Sequence, residues 1–141
     1  MTAAIALVAS LQGAMAEPSH VTYPYEGDFD DATFSVESAI LDRGLVIDYV
    51  SHTGEMLART GADVGSAVEI FEAADIFLFC SAVLSRKVME ADPMNIAHCP
   101  YNIFVFAREG QVQIGYRTYP EGPMQEVQAF LDQIVRDALD Q

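Results

Sequence analysis

The stretch Ile103-Phe104-Val105-Phe106, followed by Glu109-Gly110 and then by Gln111 to Tyr116, decides the fold class. An apolar run of strand length, a tight turn pair and a second run with Val112 and Ile114 on one face read as a β-hairpin. A hairpin makes at least part of the sheet antiparallel. Upstream, Ile76-Phe77-Leu78-Phe79-Cys80 is continuously apolar and only strand-length, which reads as the central buried strand. Downstream, Gly122-Pro123 opens a last helix whose apolar stripe is Met124, Val127, Leu131, Ile134 and Ala138, with Arg136 near its end suiting the helix dipole.

The rest of the chain supplies the partners of this sheet. Val21, Tyr23 and Tyr25 alternate and predict a short first strand. Asp28 or Asp30 can cap a helix running through Arg43, with Ala32, Val36, Ala39 and Ile40 on one face and Gly44 ending it. Leu45 to Val50 is a second strand, with Leu45, Ile47 and Tyr49 expected on one face and Val46, Asp48 and Val50 on the other. Ser51 to Gly65 is the loosest stretch, with a helical turn at Met56 and Leu57 at most, and Val68 to Phe71 extends toward the next strand. Ser85 caps a helix carrying Val88 and Met89, Asp92-Pro93 restarts it, and His98-Cys99-Pro100 stops it. The predicted order is β-α-β-β-α-β-β-α. That is a single two-layer α+β domain, a mixed or antiparallel sheet with helices packed on one face.

Charge excludes whole classes of partner. The chain has 141 residues with seven Lys+Arg against 21 Asp+Glu, a net charge of −14. A nucleic-acid binder needs a basic footprint to displace counterions from phosphates, and an anionic membrane surface repels the same balance. Neither partner is expected. A basic protein, such as a cytochrome acting as a redox partner, is the kind the charge would steer in, and a homodimer is open.

Met1 to Ala16 has no charged side chain. Its apolar run Ala3 to Leu11 and its Ala14-Met15-Ala16 ending match the h-region and cleavage site of a secretory signal peptide, although the n-region lacks Lys or Arg. The run is shorter than the roughly 20 residues that span a bilayer. The expectation is a cleaved segment 1–16, a mature domain 17–141, and a soluble periplasmic location.

From Val21 to Arg117 the chain resembles the domain-of-unknown-function 302 family, small α+β proteins of bacteria and archaea. The resemblance rests on Ile47-Asp48-Tyr49-Val50-Ser51-His52, the strand Ile76 to Phe79, Met89 four residues before Pro93, Cys99-Pro100 before Ile103 to Phe106, and Gly115-Tyr116-Arg117. It implies the fold and no activity. His52 falls where several members carry a histidine. Cys80-Ser81-Ala82 stands where many have Gly-Asn-Pro, and His98-Cys99-Pro100 where many have Asp-Leu-Pro, so the chain resembles a cysteine-bearing branch.

Special chemistry is confined to Cys80, Cys99, His52, His98 and the methionines Met56, Met89 and Met94. An even cysteine count in an exported protein suggests a disulfide; two inert buried thiols are the plain alternative. Thiolate, imidazole and thioether together also suit copper, or a non-covalent haem through an axial ligand. In that reading Cys80, Cys99 and His52 form the ligand or redox set, with His98, Met56 and Met89 as further metal ligands. The absence of C-x-x-C and C-x-x-C-H removes a thioredoxin-like motif, covalent haem attachment and an ordinary zinc knuckle. Glu26, Asp28, Asp30 and Asp31 lack calcium-loop spacing and read as capping and solvation. No G-x-S-x-G, Walker or G-x-G-x-x-G pattern occurs. An enzyme would have to use Cys99 as nucleophile with His52 or His98 as base. Three readings follow: a periplasmic binding module for copper, haem or a small redox ligand; a non-catalytic acidic interaction protein stapled by a Cys80–Cys99 disulfide; and, last, a cysteine enzyme.

Overall fold

Antiparallel pairing runs through a five-stranded sheet in the order β1-β5-β4-β3-β2. The computed structural model describes residues 16–141. Its elements are β1 (His20–Tyr25), α1 (Phe29–Asp42), β2 (Val46–Ser51), α2 (Thr53–Thr60), β3 (Ala73–Cys80), α3 (Ala82–Ala91), β4 (Tyr101–Arg108), β5 (Gln111–Arg117) and α4 (Met124–Leu139). Short 3-10 helices cover Ala62–Val64 and Pro93–His98. The α+β architecture read from the sequence is the architecture present. Residues 1–15 of the segment read as a signal peptide lie outside the described residues.

The central hairpin β4–β5 turns at Glu109 and Gly110, with φ of 55° and 72°. Two consecutive left-handed residues match the twist of the flanking strands. One face of the sheet holds the core. Phe79, Tyr101, Ile103, Val105 and Ile114 point into it and are fully buried against Val36 and Ile40 of α1 and Leu131 and Ile134 of α4. Leu84 and Val88 add the contribution of α3. Asp28 caps α1 by accepting the Asp31 amide at 2.8 Å, and Gly44 follows the helix in the left-handed region at φ 72°.

Three local expectations are corrected. Strict alternation along β2 fails because the register shifts between Ile47 and Tyr49, leaving Asp48 in a bulge. One extra residue flips every side chain beyond it. Ile47 and Val50 therefore share the core side, while Val46 and Tyr49 face the other way, 72% and 65% exposed. The loose stretch after Ser51 forms the two-turn helix α2. Its close seat on β3 depends on Gly54, where a Cβ would stand 2.5 Å from the Ala74 amide nitrogen. Finally, α3 is capped by Ser81, whose hydroxyl accepts the Leu84 amide, and not by Ser85. The helix thus begins two residues after Cys80, and β3 begins at Ala73, three residues before the apolar run.

Among the described residues no helix is long and apolar enough to cross a membrane.

Candidate functional site

Cys80 is the last residue of β3, and Cys99 follows the 3-10 helix that leads into β4. The register Phe79↔Tyr101 brings these two ends side by side. The sulfurs lie 2.7 Å apart and both cysteines are half-buried, as free thiols. A cis peptide joins Cys99 to Pro100.

Burial, and then the hydrogen bond and charge of Cys99, push the Cys80 thiol up to about 12. A thiol held in that range stays protonated at neutral pH and is a poor nucleophile. A metal between the sulfurs needs more room. With metal–sulfur bonds of about 2.3 Å, a linear bis-thiolate spans roughly twice that length, so the sulfurs would have to separate before an ion could enter.

Tyrosines wall the pair. Tyr101 shares a hydrogen bond with Ser85 Oγ at 3.0 Å. Tyr119 stands edge-on to Tyr101 at 6.4 Å and to His98 at 5.5 Å between ring centres. Its backbone is pinned by α4: the Tyr119 amide donates to Gln128 Oε1, and Gln125 Nε2 donates to the Tyr119 carbonyl, both at 2.8 Å. Among the described residues the buried Tyr119 hydroxyl has no hydrogen-bond partner, and burial pushes it up to about 12. Tyr101 and Tyr119 escaped the sequence reading. Tyr119 lies in the link between β5 and α4, where no periodicity marks an inward side.

The remaining predicted ligands divide between two ends of the molecule. His98 joins the cysteines through its place beside Cys99 and its contact with Tyr119. His52 does not. It precedes α2, and its Nδ1 pairs with Asp75 Oδ1 at 2.8 Å. Asp75 and Cys80 are five residues apart on β3, which at about 3.4 Å per residue is roughly 17 Å. Hydrogen bonding to Asp75 raises the His52 pKa above its ordinary value. Met56 is on α2, at the same end of the molecule as His52, its sulfur 3.8 Å from the Thr60 hydroxyl. Met89 packs against the core from α3, and Met94 is 70% exposed. Among the described residues no three His, Cys, Asp or Glu side chains gather to hold a metal ion.

The same fold recurs elsewhere. Residues 20–138 match the family model for "Domain of unknown function DUF302". A crystal structure of an uncharacterised conserved DUF302 protein from Bacillus stearothermophilus superposes with a TM-score of 0.66 at 17% identity. The match covers 86% of this chain and 95% of that one. Among curated proteins none matches.

Proposed function

The chain belongs to the DUF302 family, and from that premise we propose a non-catalytic, acidic interaction protein whose fold is stapled by a disulfide between Cys80 and Cys99. The observation that carries this reading is the 2.7 Å separation of the two sulfurs. The staple forms when a disulfide-bearing thiol oxidase of an oxidising compartment accepts the two electrons and two protons through a mixed disulfide. Secretion to the periplasm, with removal of residues 1–16, supplies that compartment. The net charge of −14 then steers a basic partner, a cytochrome-like redox protein being the fitting class.

The second reading keeps copper or a non-covalent haem on the cysteine pair, favoured by the imidazole of His98 next to Cys99. Intact-mass spectrometry on protein secreted with its own N-terminal segment separates the two. A mass two hydrogens below the reduced value, with nothing bound, supports the stapled protein. Free thiols carrying the extra mass of copper or haem overturn it.

A further inference from the structure

The sheet face turned away from the core carries a second site, distant from the thiol pair and independent of the reading above. Alternation puts Phe104 and Phe106 of β4 on this face, with Ile76 beside Phe104 and Gly115 on its other flank. Antiparallel sheets with one solvated face ordinarily alternate apolar and polar residues. Here the second face is aromatic. Phe104 and Phe106 stack at 6.2 Å with 26° between planes, and Phe71, from the segment before β3, closes on Phe106 at 5.5 Å.

These rings line a cavity of about 430 Å³, within the range of small-ligand sites. Arg108 is on its wall, with Thr22 and Thr53. The cavity depends on bare backbone at Gly115: a Cβ there would stand 2.6 Å from the Phe104 ring, so its absence lets that ring lie flat across β5.

Charge selects the occupant. On β1, β3, β4 and β5 no strand position of this face is Asp or Glu, in a chain with 21 of them. Asp75 reaches the rim from the opposite set of positions and is held by His52. Among the described residues Arg108 has only a 3.4 Å ionic contact, to its neighbour Glu109, both well exposed. Nearby Glu72 is engaged by the Gly110 amide at 2.9 Å. Glu69 lies with Glu72 and Glu109 around the other side of Arg108. Yet among the described residues no carboxylate comes within direct hydrogen-bond distance of its guanidinium beyond the Glu109 contact. That leaves N–H donors that can take a ligand carboxylate while the apolar body of the ligand stacks on phenylalanine.

We propose that this cavity binds a small planar aromatic carboxylate, with Arg108 holding the carboxylate and Phe71, Phe104 and Phe106 holding the ring. The test is titration of the protein with 2-naphthoate, followed by ligand fluorescence and by amide shifts in β4. Saturable binding is expected, at least tenfold tighter than for the neutral 2-naphthalenemethanol. Arg108→Gln should abolish that tenfold preference and Arg108→Lys retain part of it. Arg108 is exposed, so both variants should keep the native circular dichroism. No saturable binding, equal affinity for acid and alcohol, or unchanged naphthoate affinity in Arg108→Gln overturns the proposal. So does a stable dimer in which a second copy covers this face and excludes the probe.

Discussion

Tyr23 donates its phenol proton to Asp132 Oδ1 at 2.6 Å, which ties the edge strand β1 to α4. Tyr116 donates to the same oxygen at 2.8 Å, and Arg136 Nε to Oδ2 at 2.7 Å. Arg136 also donates to the Tyr23 oxygen at 2.9 Å and lies over its ring. One carboxylate therefore satisfies two phenols and a guanidinium. Asp132→Ala leaves both phenols short of an acceptor, at a cost of about 3 kcal/mol given roughly 1.5–3 kcal/mol for a hydrogen bond to a charged group. Urea unfolding measures this. Arg136→Ala should cost clearly less than Asp132→Ala, as expected of an exposed pair.

The same carboxylate predicts the acid limb of stability. Burial opposes its charge, yet the hydrogen bonds from Tyr23, Arg136 and Tyr116 hold its pKa below the ordinary carboxylate value. A depressed folded pKa contributes stability that is present above the unfolded value, about 3.9, and is lost as pH falls through the folded value. Asp132→Asn should flatten the fall in unfolding free energy below pH 4 that the unmodified protein shows. A fall of equal steepness in Asp132→Asn would assign the acid limb to other carboxylates.

Closing the nineteen-residue separation between Cys80 and Cys99 restricts the unfolded chain. In the chain-entropy model a loop of this size stabilises by roughly 3 kcal/mol, less any native strain. Oxidised protein should unfold at higher urea than protein kept in a phosphine reductant. The Cys80→Ser/Cys99→Ser double variant should match the reduced form and ignore the reductant. Identical midpoints with and without reductant in the unmodified protein would show that no staple forms.

What was legible in the sequence was whatever its periodicity encodes. The apolar stripe of α4, the Ala32–Ile40 face of α1 and the hairpin at Glu109-Gly110 each bury what their spacing says. Asp48 broke that logic in β2, because a bulge leaves no mark in a run of alternating residues. Helix α2 was hidden by the glycines around it: Gly54 looks like a breaker, yet it is there for close approach to β3. Nearness in space was legible only where strand ends coincide. Cys80 ends β3, Cys99 stands two residues before the paired start of β4, and the two meet, whereas His52 sits at the far end of β3, a separation set by the pairing register. Tyr119, fixed by tertiary contacts from α4, had no local signal at all.

His52 should titrate above its ordinary value, about 6.5, because its hydrogen bond to Asp75, then the Asp75 charge, favours the imidazolium. The Hε1 resonance reports the midpoint directly. A raised folded pKa means that the pair contributes most below the unfolded value and that the contribution disappears as pH rises through the folded one. Asp75→Asn should return the midpoint to the ordinary histidine range. A midpoint unchanged in Asp75→Asn would mean that the 2.8 Å contact does not control the ring.

Gly115 and Gly44 separate two reasons for a glycine. At Gly115 no left-handed backbone is involved, but a Cβ would stand 2.5 Å from the Val21 carbonyl oxygen and 2.6 Å from the Phe104 ring. The carbonyl belongs to β1, which cannot retreat without loosening the pairing Thr22↔Gly115. Gly115→Ala should therefore destabilise by about 2–3 kcal/mol, the upper part of the overpacking range. Adding Phe104→Ala removes the ring clash and leaves the carbonyl clash, so the double variant should cost less than the two single costs added together. Gly44 presents the opposite case: φ is 72° and nothing lies within 4 Å of a Cβ. Gly44→Ala then isolates the backbone cost, about 1–2 kcal/mol, with no dependence on Phe104. Strict additivity in the Gly115 and Phe104 pair would show that the ring does not rest on that glycine, and the aromatic cavity would lose its floor.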